Sequence, residues 1–284
     1  MIKKKLLKSI EIIPPRYRID NQLLRNLSKY QNNFDFLDIA CSPMANLRIS
    51  AITFAHNLII KGVKKEKLII NFSTRDKNTL ALQSEILGTY GMGINRLLIV
   101  KGDKISYGNS LKSKEVFEVS TNELIKIVDN FNNGHDYSSN KLKFKTKFNI
   151  GSTLNIDSSY SIVKKTIQKR IKSGSNFFIT QPLYSEKDFV LLSKLSKNKS
   201  YQILAGILPI KNKKTFVNLI KKINGISKVN ELFDLLSGAN EKDFADISTK
   251  YLLNLLEKYK SELDGVHIMT SGDIRLASNI ADKI

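Results

Sequence analysis

Eight short apolar runs punctuate this chain at wide intervals, and several end in a carboxylate, hydroxyl or amide that a buried strand has no reason to carry. Residues 9–14 read SIEIIP, 34–40 FDFLDIA, 68–74 LIINFST and 96–103 RLLIVKGD. Residues 147–151 read KFNIG, 177–181 FFITQ, 203–209 ILAGILP and 264–270 DGVHIMT. Most of the stretches between them carry helical periodicity. Eight strand–helix units with polar residues at the strand ends predict a (β/α)8 TIM barrel, an α/β fold whose chemistry gathers at the C-terminal rim of its strands. The pattern points to an enzyme before any motif is considered.

A length of 284 residues suits one such barrel, so a single domain over residues 1–284 is expected. A doubly wound sheet would also alternate strands and helices. It fits less well, because no GxGxxG follows the first strand. The pair in Gly91-Met92-Gly93 precedes a strand and reads as a helix-to-strand turn. Helices are expected over residues 21–30, 47–60, 78–90, 158–172, 186–195 and 214–223, with another from an N-cap at Thr121. A pair at 231–236 and 243–259 precedes the last strand, and residues 274–284 cover the barrel after it. Gly174 stands at a C-cap position. Residues 104–121 and 132–144, rich in Gly, Ser and Asn, read as loops at the catalytic rim.

Composition narrows the function. Hydrophobic residues at 42% and charged residues at 25% are ordinary for a globular protein, which argues against global disorder. The lone Cys41 excludes an intramolecular disulfide framework and a clustered thiolate site, and fits a reducing, cytoplasmic setting. No apolar stretch approaches membrane-spanning length. The basic start, MIKKKLLKSIEII, has Glu11 inside its short apolar run and leads to Pro14-Pro15, so it reads as the first strand and not as a leader. The net charge of +20 is spread mostly as lysine along the chain without basic–aromatic interleaving, which reads as solvated helix faces and not as a specific nucleic-acid surface.

The residues at the strand ends carry the chemistry. Glu11 lies between isoleucines; inside a barrel its carboxylate is either a general acid of raised proton affinity or the partner of a nearby cation. Asp103 follows Gly102 at the end of a strand and either projects toward a ligand or caps a turn. Gln181 offers donor and acceptor to a ring with amide-like edges, such as a pterin, flavin or nicotinamide. Arg75-Asp76 reads as an internal ion pair or, with Ser73, Thr74 and Asn78, as a polar rim cluster. His267 reads as a satisfied core histidine. His56, His135 and His267 form no metal triad, and no metal site is expected. Cys41 has no spaced histidine partner, and no serine-hydrolase elbow is present.

Taken in order, several blocks resemble the 5,10-methylenetetrahydrofolate reductase family over essentially the whole chain. The strongest is Phe72-Ser73-Thr74-Arg75-Asp76-Lys77-Asn78, followed by Ala81 to Glu85 and Gly93 to Asp103. Glu11-Ile12-Ile13-Pro14-Pro15-Arg16, Asn46 to Ser50, Gly174 to Tyr184 and Gly206-Ile207-Leu208-Pro209 add to it. The pattern is closest to the reductase module that some bacteria fuse to a homocysteine methyltransferase. The resemblance implies a barrel holding FAD non-covalently, NADH or NADPH as reductant, methylenetetrahydrofolate as substrate and a homo-oligomer. It also implies a functional link to a separate methionine-synthesising methyltransferase. Glu11 matches the general acid of the family and Asp103 the aspartate beside flavin and pterin. Gln181 matches a glutamine on folate or nicotinamide. Asn71, Thr74, Lys101, Gly102 and Arg170 match positions around the flavin.

The chain departs from that pattern in places. Asn71 stands where many relatives have histidine; it keeps a hydrogen-bond donor but cannot gain a proton. Lys101 stands where some have arginine, and lacks the bidentate fork. Residues 38–43, Asp-Ile-Ala-Cys-Ser-Pro, match neither the threonine of one branch nor the Ala-Asp-Asn of the fused one. The methyltransferase module and its zinc-binding cysteines are absent from this sequence.

Overall fold

In the computed structural model, which describes residues 5–196, 200–222 and 230–284, eight parallel strands close into a barrel in sequence order. They are β1 (Leu7–Ile12), β2 (Phe36–Ile39), β3 (Leu68–Ser73), β4 (Arg96–Val100), β5 (Asn149–Leu154), β6 (Phe177–Pro182), β7 (Gln202–Ile207) and β8 (Gly265–Ile268). Closure comes from β1 against β8, with Ser9 opposite His267 and Ile10 opposite Ile268. The outer layer holds α1 (Asn21–Tyr30), α2 (Ala51–Ile60), α3 (Thr79–Gly91), α4 (Thr121–Asn133) and α5 (Tyr160–Ser173). It continues with α6 (Glu186–Leu195), α7 (Lys213–Lys222), α8 (Asn230–Ser237), α9 (Phe244–Tyr259) and α10 (Ile274–Ala281). Residues 1–4, part of the stretch read from the sequence as the first strand, and Ile223, read as the end of a helix, lie outside the described residues.

Alternation along each strand splits the apolar side chains between two cores. Outward residues such as Ile10, Leu37, Ile70, Leu97 and Ile99 pack against the helices in the larger one. Inward residues Ile69, Leu98, Phe177, Ile179 and Leu204 fill the barrel itself, with Phe36 and Val100 against them. Phe177 fits because position 151 has no side chain: a Cβ on Gly151 would lie 2.6 Å from Cε1 of its ring. This packed lower interior leaves the upper end for the site.

Three local expectations are corrected. The second helix begins at Ala51 and not at residue 47, because Pro43–Ala45 forms a 3-10 turn and Ile49 N–H bonds the carbonyl of Pro15 at 2.9 Å. The N-cap of α4 is Ser120 and not Thr121, closing a capping box with Glu123. Residues 134–148 connect the end of α4 to the start of β5, so they lie at the N-terminal end of the barrel, away from the catalytic rim. Gly and Asn content marks a loop there without marking which end it occupies. Gly174 caps α5 as expected.

Candidate functional site

At the C-terminal end of the strands a cavity of about 650 Å³ opens inside the barrel. Its two walls differ. Glu11 (β1), Asp38 (β2), Asn71 (β3) and His267 (β8) make one polar wall from four consecutive strands of the closed sheet. Leu98 and Val100 (β4), Thr153 (β5), Ile179 and Gln181 (β6) and Leu208 make the other, mostly apolar. Lys101, Gly102 and Asp103 border the opening after β4, and Ala40, Cys41, Pro43, Met44, Asn46 and Arg48 border it after β2.

The polar wall is joined by hydrogen bonds and burial. Glu11 and Asp38 are register partners on adjacent strands. Asn71 Nδ2 donates to Asp38 Oδ2 at 3.4 Å, and His267 Nε2 lies 3.7 Å from the same oxygen. Nδ1 of His267 meets Ser9 Oγ at 3.0 Å. Burial pushes the Glu11 carboxyl up to about 7, and the negative charge of Asp103 adds to the rise. Burial also raises Asp38 well above the carboxylate range, with the charge of Glu11 acting in the same direction. For His267 burial acts the other way, lowering it to about 3, so the ring is neutral. A proton-holding wall facing an apolar one suits general-acid work on a ring system.

The rim is organised by Arg75, whose guanidinium is buried although it carries a fixed charge. Its Nε and one terminal nitrogen bond the Asp76 carboxylate at 2.5 and 2.8 Å. The other terminal nitrogen donates to the Asp103 carbonyl at 3.0 Å, and the first also reaches the Ser42 carbonyl at 3.3 Å. Both sequence readings of Arg75-Asp76 therefore hold: it is an ion pair, and it builds the rim. Asp103 Oδ2 accepts the Met44 N–H at 2.6 Å. Ser42, Met44 and Ala45 all have positive φ without being glycine, a strained run held in place by these bonds to the β4 end. Cys41, beside them, has its thiol raised mainly by burial, which does not favour a thiolate nucleophile.

The eight residues singled out from the sequence fall into two groups. Glu11, Asn71, Lys101, Gly102, Asp103 and Gln181 all line the cavity. Thr74 and Arg170 do not appear in its lining. Thr74 Oγ1 donates to the carbonyl of Lys101 at 3.2 Å. Arg170, on α5, donates from a terminal nitrogen to Ser152 Oγ at 3.2 Å, in the layer between helix and strand. Asp38, Arg48 and the cavity-facing position of His267 went unassigned in the sequence. Strand parity could have found two of them: Asp38 shares the face of Phe36, and His267 that of Met269. Among the described residues, no group of three His, Cys, Asp or Glu could hold a metal ion, and no helix is long and apolar enough to cross a membrane.

The sequence matches the methylenetetrahydrofolate reductase family profile over residues 1–284. The chain belongs to this family. Membership supports an oxidoreductase acting on folate, in a family whose members are generally FAD-dependent. No curated protein matches the chain in sequence. Among solved structures, the fold is similar to an uncharacterised protein from Clostridium thermocellum that binds two copies of 5-methyl-5,6,7,8-tetrahydrofolic acid. That pair shares 15% identity over 99% of this chain and 97% of the other, with a TM-score of 0.61. The fold is also similar to EDTA monooxygenase from Chelativorans sp. BNC1, at 10% identity, 98% and 92% coverage and a TM-score of 0.56.

The donor set in the cavity fits the flavin ring that family membership implies. Asn71 Oδ1 and Asp38 Oδ1 are buried without a partner, so each has hydrogen-bonding capacity left for a ligand. Gly102, at φ +88°, lets the β4 end pass Ser73 and Arg75, where a Cβ would come within 2.8 Å of Arg75 Cβ. Asn71, Lys101, Gly102 and Asp103 are the residues that would hold the ring.

Proposed function

We propose that this chain reduces 5,10-methylenetetrahydrofolate to 5-methyltetrahydrofolate, drawing on NADH or NADPH, with FAD bound non-covalently at the barrel rim. The observation that carries this reading is Glu11: a carboxyl on the inner face of β1, brought to about 7 by burial and the nearby Asp103 charge. When bound, FAD would take hydride from the nicotinamide and pass it to the folate in a ping-pong sequence.

The protein's own part is proton supply and positioning. Opening the folate's five-membered ring to a reactive iminium needs a proton on the departing nitrogen. An acid with a proton affinity near neutrality is suited to give it. Glu11 fills that role, and Asp103 keeps the proton on Glu11 while facing the same ligand. Gln181 presents its amide to the folate or nicotinamide edge. Asn71, Lys101 and Gly102 border the flavin. Thr74 acts through the Lys101 carbonyl, and Arg170 through Ser152 on β5. A homo-oligomer in the cytoplasm, supplying a separate methionine-forming methyltransferase, completes the reading, as the likeness to the fused reductase module suggests.

Thr74 and Arg170, both spent on internal hydrogen bonds, favour a second reading: a folate-binding barrel with another one-carbon role or a different electron donor. One experiment separates the two. The visible spectrum of gently purified protein, and of the supernatant after denaturation, is followed by assays for methyltetrahydrofolate with NADH or NADPH as sole reductant. Released flavin with turnover supports the reductase. Bound flavin without turnover on either nucleotide points to a different donor. A colourless protein that takes up no added FAD removes the flavin mechanism.

A further inference from the structure

Two adjoining loops at the barrel rim carry a cationic pair, one member of which lines the cavity, and none of the described residues neutralises either. Arg16 follows Pro14-Pro15 in the β1–α1 loop, and Arg48 lies in the β2–α2 loop. The Ile49-to-Pro15 backbone hydrogen bond of 2.9 Å fastens the two loops together. Leu47 N–H in turn bonds Asn109 Oδ1 at 3.2 Å, which ties them to the β4–α4 loop. Arg48 lines the cavity, and its Nε–H is buried without a partner. A buried donor left without a partner is unfavourable. Burial lowers the Arg48 guanidinium from its usual range, and the positive charge of Arg16 lowers it further, so the two cations repel. Among the described residues, no carboxylate lies within ion-pair distance of either. Two residues beyond Arg48, Ser50 opens α2 without a side-chain cap, so a helix dipole adds to the positive field.

An anion at this place would relieve the repulsion and satisfy the open donor at once, and a guanidinium fork is matched to carboxylate or phosphate oxygens. We propose that Arg16 and Arg48 together hold an anionic group at the outer end of a ligand whose reacting end lies against Glu11. The inference rests on the proposed function, whose two exchanging ligands, the folate and the nicotinamide cofactor, each carry such a group. The anion is either a carboxylate of the folate's glutamyl tail or a phosphate of the nicotinamide cofactor.

Equilibrium dialysis of the full chain tests this with two pairs of compounds. One is 5-methyltetrahydrofolate against 5-methyltetrahydropteroyl amide, in which an uncharged carboxamide replaces the glutamate. The other is reduced nicotinamide mononucleotide against reduced nicotinamide riboside, which lacks only the phosphate. The charged member of at least one pair should bind roughly tenfold more tightly. Arg48→Gln and Arg16→Gln should erase that preference and leave the uncharged member's affinity in place. Arg48→Lys, which keeps a charge without the Nε donor, should retain part of it and guards against simple misfolding. Loss confined to the folate pair assigns the tail; loss confined to the nicotinamide pair assigns the phosphate. A preference that survives in both glutamine variants, or wild-type protein that binds charged and uncharged members alike, overturns the inference and leaves the proposed function standing. Failure to bind any of the four compounds overturns the proposed function, and this inference with it.

Discussion

Glu11 on β1 and Asp38 on β2 stand directly opposite each other in adjacent parallel strands, and both carboxyls front the same cavity. Each is raised by burial, and Asp38 is raised further by the charge of its neighbour. Two carboxylates so placed do not both ionise readily, so protons stay on this wall at neutral pH. The neutral His267 and the amide of Asn71, both beside Asp38, add no charge to offset them.

The first prediction separates proton supply from hydride transfer. Glu11→Gln removes the proton but keeps the shape and a hydrogen-bonding end. It should bind FAD and oxidise NAD(P)H with an artificial acceptor at near wild-type rates, while methylenetetrahydrofolate reduction falls by a factor on the order of 10²–10⁴. Parallel steady-state assays with the two acceptors check this, and near-normal folate reduction would remove Glu11 from the acid role.

The second concerns pH. Folate reduction should decline as pH rises through about 7, where Glu11 loses its proton. Asp103 raises the proton affinity of Glu11 through its negative charge. Asp103→Asn should therefore move the decline to lower pH, in addition to any loss of rate. A pH profile of kcat for both proteins reads this directly, and an unmoved limb would mean that the two groups are not coupled.

Much of this was legible in the sequence, for identifiable reasons. The eight strands were visible because a short apolar run that ends in a polar residue is what a barrel strand needs: a buried body and a tip at the open rim. Glu11, Asp103 and Gln181 were visible as the exceptions in those runs. Arg170 could also have been placed more closely. It shares the barrel-facing side of α5 with the buried Val163 and Ile167, seven and three residues before it, so a position between helix and strand follows from helical periodicity. The loop after β2 was not legible. Ser42, Met44 and Ala45 adopt left-handed backbone without glycine, and what holds them is tertiary: Arg75 from the loop after β3 and Asp103 from the end of β4. No local pattern encodes such bonds.

Gly102 gives a third prediction, on stability. Its φ of +88° strains any other residue, and a Cβ there would press on Ser73 and Arg75. Gly102→Ala should cost about 2 kcal/mol or more in urea unfolding, and should weaken flavin binding as the β4 end shifts. A stability within experimental error of wild type would mean the loop relaxes freely.

The fourth prediction comes from two groups whose shifts act oppositely on stability. Glu11 rises from 4.5 to about 7 on folding, so the native state holds more protons than the unfolded chain between those values. Its contribution to stability is therefore present at low pH and is lost as pH rises from about 4.5 to 7. His267 falls from 6.5 to about 3, so the native state holds fewer protons there, and stability is lost as pH falls through that window. The two partly cancel between about pH 4.5 and 6.5 in the wild type, and single substitutions should expose each one. Glu11→Gln should be more stable than wild type at pH 8, by an amount on the order of 2 kcal/mol and hence with a higher Tm, with a smaller difference at about pH 5. His267→Gln should flatten the loss on acidification, at the cost of the Ser9 hydrogen bond at every pH. Thermal melts of the three proteins from about pH 4 to 8 test both signs at once. If Glu11→Gln instead lost stability relative to wild type as pH rose, the carboxylate at position 11 would be paired with a cation in the folded protein, the alternative its place between isoleucines first left open.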